Sequence, residues 1–276
     1  MAFEDQFGVD VSRKRLFANP FTDEFVEKEV AFYNLPREYS KDRVIVKMVQ
    51  PQGQLDDYLN RNWRITDLLV PALFVDGKLW MSLTFMEIQS AFVPLAMSSG
   101  VVGTAGLGLG YFPLRAASNP DVDEVHVYEM NPRVIAFFKE TFRNRPEMEK
   151  ITIHEGDVRK EALYNKRKRG PSFDFFFMDV YRTLLPDAVI SDIELFQEEG
   201  SVEEYRFWGQ ERVILDSFIA GERPNASLVD RIFIKTWQET PFNPEDEDEG
   251  TMDQYYREMT DEEYREKTLG PLGLFR

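Results

Sequence analysis

The chain has 276 residues, 43% of them hydrophobic, and a formal net charge of −16. That is enough apolar material for one sizeable core, and a charge that argues against nonspecific nucleic-acid binding, where phosphate repulsion must be overcome by a basic patch. The absence of cysteine excludes disulfides, thiolate metal sites and cysteine nucleophiles.

The N-terminal residues lack an apolar core of signal-peptide length, and no run reaches membrane-spanning length. The expectation is a soluble, cytoplasmic protein. Residues 1–66 read as an N-terminal extension with short helices and one strand, Asp42–Gln50. An α/β domain with a leading hairpin is expected at 67–240, and an acidic tail at 241–276.

Arg64–Phe85 predicts a β-hairpin turning at Asp76-Gly77. Phe85–Gly100 then predicts a helix, regular or broken, with Pro94 limiting its regularity. From Val101 the rhythm changes to strand, helix, strand, helix. Gly100–Gly106 is a short buried strand that leads into a glycine turn, and Pro113 suits the first turn of the next helix. Glu124–Met130 is a strand. Asn131–Asn144 is a helix, with Asn131 as its cap and Pro132 at its start.

Lys150–Asp157 is the next strand, followed by a short helix from Val158. The basic run Asn165–Gly170 reads as a solvated loop. Ser172–Tyr181 is almost wholly apolar and suits the interior of a parallel sheet covered on both faces. Ser201–Gly221 carries helical periodicity, and Leu228–Gln238 is expected as a fifth strand. Glu245–Glu249 reads as an acidic loop, with a helix around Asp253–Lys267. The alternation predicts the α/β class, a doubly wound, mostly parallel, Rossmann-like sheet with an N-terminal β-hairpin extension.

In such a sheet, ligands lie beyond the carboxyl ends of the strands. Those ends carry Thr104 to Gly110, Glu129, Asp157 and Asp179. Singly, each acid is also a common solvent-facing cap, and the glycines also suit an ordinary strand-to-helix corner. Together they read as a ligand rim. Gly106, Gly108 and Gly110 would let backbone approach the ligand, with a side chain at Gly106 or Gly108 colliding with it. Glu129 lies where a carboxylate accepts ribose hydroxyls. Asp157 and the Val158 amide suit an adenine edge, and Asp179 the reacting end. Tyr181 and Arg182 follow Asp179 and are placed to touch an acceptor. His126 and His154 read as packed residues. Tyr205, Phe207 and Trp208 read as core or as an aromatic wall. Tyr181–Gly200 suits a lid or the surface of a homodimer.

The segments "GTAGLGLGYF", "VYEMNPRVIAFF", "IHEGDV" and "FDFFFMDVY", in that order and spacing, resemble the class I S-adenosylmethionine-dependent methyltransferases. The hairpin "ALFVDGKLW", followed by a helix carrying Glu87 and Gln89, is similar to the spermidine-synthase-like branch. The likeness spans Leu68 to Gln238. It implies that Thr104 to Gly110 surround the methionine part of S-adenosyl-L-methionine, or of its decarboxylated form. It also implies that Glu129 binds the ribose with Met130 beside the adenine, and that Asp157 and Val158 read the adenine edge. Asp179 would then stand near the acceptor amine, with Tyr181 assisting and Glu87, Gln89 and Arg182 contacting the substrate.

The sequence departs from that pattern at Thr104, where an acid is common. It departs again after Asp179, where "DVYRTLLPD" lacks the second aspartate of aminopropyltransferases, and Asp187 stands too far along to replace it. The resulting expectation is a transferase acting on a small-molecule or amine acceptor. Aminopropyl transfer and a non-catalytic interaction protein are the alternatives. No membrane or nucleic-acid partner and no metal is expected. A Rossmann oxidoreductase fits less well, because the turn reads G-x-G-x-G rather than G-x-G-x-x-G.

Overall fold

The computed structural model describes residues 23–51, 55–56, 62–63, 68–160, 172–181, 191–192, 195 and 202–209. Helix α1 (Asp23–Tyr33) precedes strands β1 (Tyr39–Lys41) and β2 (Val44–Val49), and a separate two-residue pair is formed by β3 (Leu55–Asp56) and β4 (Asn62–Trp63). The expected hairpin is β5 (Val70–Val75) and β6 (Lys78–Ser82). Its turn residues Asp76 and Gly77 both have positive φ, 53° and 76°, as a two-residue turn matched to strand twist requires. Strand β2 pairs antiparallel with β5, so the hairpin belongs to a four-stranded sheet of order β1-β2-β5-β6. Residues assigned to the N-terminal extension thus supply half of that sheet.

Helix α2 (Phe85–Met97) runs unbroken through Pro94. After it come β7 (Gly100–Ala105), α3 (Tyr111–Ala117), β8 (Val122–Glu129), α4 (Pro132–Phe142), β9 (Ile151–Glu155), β10 (Phe173–Met178) and β11 (Val202–Phe207). The five strands β7 to β11 form one parallel sheet of order β11-β10-β7-β8-β9. Asn131 caps α4 by accepting from the Arg133 amide at 3.1 Å, with Pro132 following it. The buried stripe of α4, Val134, Ile135, Phe137, Phe138 and Phe142, has the spacing of a helix that faces a core. In β10, Phe175, Phe176, Phe177 and Met178 are all buried, so the strand is covered on both faces, as its composition predicted.

One expectation fails. The start of Ser201–Gly221 is not helical: Val202–Phe207 is the sheet's fifth strand, paired parallel with β10. The helical reading takes in Tyr205, Phe207 and Trp208. Arg206, polar yet only 2% exposed, masked the alternation of a strand. The Tyr205 ring stacks on Phe176, with centroids 6.3 Å apart. The strand expected at Leu228–Gln238, the helix at 253–267, the acidic run, the basic run and most of the lid segment lie outside the described residues.

Candidate functional site

The first and fourth strands of the parallel sheet, β7 and β10, are neighbours, while β8 and β11 lie on their far sides. The strand order reverses there, the place at which open α/β sheets form a ligand crevice. The glycine turn leaves β7 and Asp179 follows β10, so both sit at that crevice.

Gly106, Gly108 and Gly110 have φ of 91°, 52° and 85°, a region that side chains with a Cβ rarely adopt. Their surroundings correct the sequence expectation. A Cβ at Gly106 would meet the Asp179 carbonyl oxygen, one at Gly108 the Met81 sulfur, and one at Gly110 the Phe138 ring. These glycines make room for the protein's own atoms. The Asp179 amide donates to the Ala105 carbonyl at 2.8 Å, which fixes the start of the turn against the end of β10.

The turn is held on several sides. Glu129 Oε2 accepts from the Leu107 amide at 3.0 Å and its Oε1 from the Asn131 amide at 2.7 Å. Met81 Sδ accepts from the Leu109 amide at 3.1 Å, and Tyr33 donates to the Leu109 carbonyl at 2.7 Å. Each Glu129 oxygen keeps a further lone pair. Thr104, 1% exposed, has a buried hydroxyl with no hydrogen-bond partner among the described residues. Buried polar groups are nearly always paired, so this oxygen marks a place where a donor or acceptor is wanted.

Glu87, in the first turn of α2, lies within electrostatic reach of Asp179. Burial, then the Asp179 charge, pushes the Glu87 carboxyl up to about 8. Burial pushes Asp179 up to about 7. Two such acids exchange protons near neutral pH, which is the range useful for general acid–base work. Gln89 is two residues further along α2, about 200° around the helix from Glu87, and is 6% exposed. The two side chains therefore leave the helix on opposite sides.

Asp157 stands two residues beyond β9, where its Oδ1 accepts from the Arg159 amide at 3.1 Å and caps the next helical turn. The Val158 side chain is buried, whereas Met130, beside Glu129, is 65% exposed. Glu129, Asp157 and Asp179 all lie at the carboxyl rim of the parallel sheet.

Tyr181 does not face Asp179 with its hydroxyl. It donates to Asp192 Oδ2 at 2.6 Å, and Arg159 binds the same carboxylate through Nε and Nη2, both at 2.7 Å. Burial, then Asp192, holds the Tyr181 hydroxyl far above its ordinary value, so it remains a neutral donor and does not serve as a base. Arg182 lies outside the described residues. His126 and His154 stack, with ring nitrogens 3.0 Å apart, and His126 also meets Glu124 at 3.0 Å.

Sequence reasoning did not find Met81, Arg159 or Asp192. For Asp192 a signal existed, since an acid inside the apolar stretch "AVISDIELF" is expected to meet a cation if it is buried. For Met81 there was none, because its partner amide lies in another element and any apolar residue would satisfy the strand pattern.

No protein-family model matches the sequence, and no curated protein matches it. Solved structures similar to it include spermidine synthase from Thermotoga maritima, at 16% identity over 62% of this chain and 55% of that one, with a TM-score of 0.37. TrmK of M. capricolum, solved with S-adenosyl-homocysteine, is similar at 11% identity over 49% of this chain and 56% of that one, with a TM-score of 0.35. Precorrin 8w decarboxylase from Methanobacterium thermoautotrophicum is similar at 16% identity over 42% of this chain and 73% of that one, with a TM-score of 0.32. The first two matches take in little more than half of the other protein's length.

Proposed function

We propose that this protein binds S-adenosyl-L-methionine, or its decarboxylated form, along the rim from the glycine turn to Asp157, and transfers an alkyl group to a small acceptor, with amines favoured. The observation that carries this reading is that Glu87, on α2, lies within electrostatic reach of Asp179, whose backbone carbonyl stands against Gly106 at the end of β10. The residues present suit the cofactor. The unpartnered Thr104 hydroxyl offers a contact for its methionyl part, and the free lone pairs of Glu129 suit the ribose hydroxyls. The exposed Met130 flanks the adenine, which the remaining oxygen of Asp157 and the Val158 amide read.

The cofactor, when bound, supplies a sulfonium with a neutral thioether as leaving group. The chain's own work is then to orient the acceptor and exclude water. Asp179, ionised above about pH 7, takes the proton of an acceptor ammonium and leaves the nitrogen lone pair free for in-line attack. Glu87 keeps a proton to slightly higher pH and holds the acceptor by hydrogen bonding. With the decarboxylated cofactor the transferred group is aminopropyl, and the mass added to the acceptor with each form of the cofactor distinguishes the two chemistries.

The test is turnover of radiolabelled cofactor by wild type and Asp179→Asn. Loss of turnover with cofactor affinity retained within a few-fold supports the role, and unchanged turnover refutes it. A second reading, an interaction protein that no longer catalyses, is favoured by one observation: Glu129 and Met81 already occupy the Leu107 and Leu109 amides. It predicts no saturable binding of cofactor by the wild-type chain.

A further inference from the structure

We propose that Trp208 is the positioning residue of the acid pair: its indole, fastened to Ser90, holds the first turns of α2 against the carboxyl end of β10 and so keeps Glu87 close to Asp179. The Trp208 amide donates to the Met178 carbonyl at 2.8 Å. This carries the β10–β11 ladder one residue past the strand and sets the Trp208 backbone beside the Met178–Asp179 peptide. From there the ring reaches α2, where Nε1 donates to Ser90 Oγ at 3.2 Å.

The indole nitrogen is a donor only, so this bond needs an acceptor that is already oriented. Ser90 is oriented, because its hydroxyl donates back to the Glu87 carbonyl at 2.9 Å and turns its lone pairs outward. The resulting chain runs from the tip of β11, through Ser90, to the backbone of Glu87 itself. Pro94 contributes from the other side, since it has no N–H to return to the Ser90 carbonyl. That turn of α2 therefore relies more than usual on bonds from outside the helix. Trp208 is half-buried and touches neither carboxylate in this chain of bonds, so it acts through Glu87.

The catalytic meaning of this device rests on the transferase reading, but its structural content does not. Among the described residues, the charge acting on Glu87 is that of Asp179, and Asp179 is raised by burial. Separating the two acids relieves repulsion and admits water, and both effects lower the proton affinity of the pair.

The experiment follows the carboxyl carbon-13 resonances of Glu87 and Asp179 from pH 5 to 9 in the full, ligand-free chain. In Trp208→Phe, which keeps the ring and loses the donor, and in Ser90→Ala, the pair is expected to titrate about one pH unit lower or more. Ser90→Thr, which restores a hydroxyl, is expected to titrate as wild type. Wild-type titration in Trp208→Phe and Ser90→Ala overturns the proposal, as does a Ser90→Thr variant that moves with Ser90→Ala. If Trp208→Phe does not fold, the two Ser90 variants decide. No cofactor or acceptor enters this measurement, so its failure leaves the transferase reading standing. A chain without turnover leaves the positioning role standing in turn.

Discussion

Glu87 and Asp179, brought together from an early helix and a late strand end, form an acid pair in which the charge of one raises the proton affinity of the other. The native state therefore binds their protons more tightly than the unfolded chain does, with folded values of about 8 and about 7. The stability this contributes is fully present below the unfolded values near pH 4 and is lost as pH rises through 7 to 8. A loss on the order of a few kcal/mol is expected between pH 5 and 9, at roughly 1.4 kcal/mol for each tenfold difference in proton affinity between the folded and unfolded chain. Urea midpoints across that range test it. Glu87→Gln, neutral at every pH, should show a shallower decline and exceed wild-type stability at pH 9.

Gly106 is predicted to be intolerant of any Cβ. Its φ of 91° and the Asp179 carbonyl against it combine backbone strain with a clash that no rotamer relieves. Gly106→Ala should lose at least about 2 kcal/mol in chemical denaturation. A loss below about 0.5 kcal/mol would mean that the turn and the end of β10 are not in contact.

Glu129 ties the glycine turn to the start of α4 through the Leu107 and Asn131 amides. Hydrogen bonds to a charged group contribute about 1.5–3 kcal/mol each. Glu129→Ala should therefore lower stability by about 2 kcal/mol or more, and weaken cofactor binding at least about tenfold, equivalent to roughly 1.4 kcal/mol. Glu129→Gln, which keeps one acceptor, should fall between the two. Calorimetry paired with thermal melts separates the stability loss from the binding loss.

A buried ion pair anchors α1 behind the glycine turn. Glu29, 3% exposed, accepts from Arg115 Nε at 3.0 Å and from the Tyr111 hydroxyl at 2.7 Å. The Arg115 guanidinium also lies over the Phe32 ring, 4.7 Å from its centroid. Removing one partner leaves an uncompensated buried charge, so Glu29→Ala should cost about 3–5 kcal/mol. The double variant Glu29→Met, Arg115→Met should recover most of that loss in urea unfolding. A single variant as stable as wild type would contradict the burial of the pair.

The order of the described elements from Val70 to Met178 was readable because local chemistry and tertiary placement agree there, while most of the helix expected from Val158 lies outside the described residues. Asp76-Gly77 demands one kind of turn, Asn131-Pro132 opens a helix, and the run Phe173–Met178 fits only a strand covered on both faces. Strand β11 was not readable because Arg206, which solvent exposure would ordinarily claim, is buried within the sheet. At the site, the rim acids could be placed because a parallel sheet puts its carboxyl ends on one edge. What the glycines accommodate could not be placed, since Met81, Phe138 and the Asp179 carbonyl reach them from three different elements. Nor could Tyr181 be assigned, because its hydroxyl is claimed by Asp192 across a segment without a local pattern.

The most direct measurement is isothermal titration of the full chain with S-adenosylhomocysteine, run beside Glu129→Ala. Saturable heat with wild type, reduced about tenfold or more in affinity by the substitution, is the result this account predicts. No heat and no thermal stabilisation of the wild-type chain at millimolar ligand would contradict it.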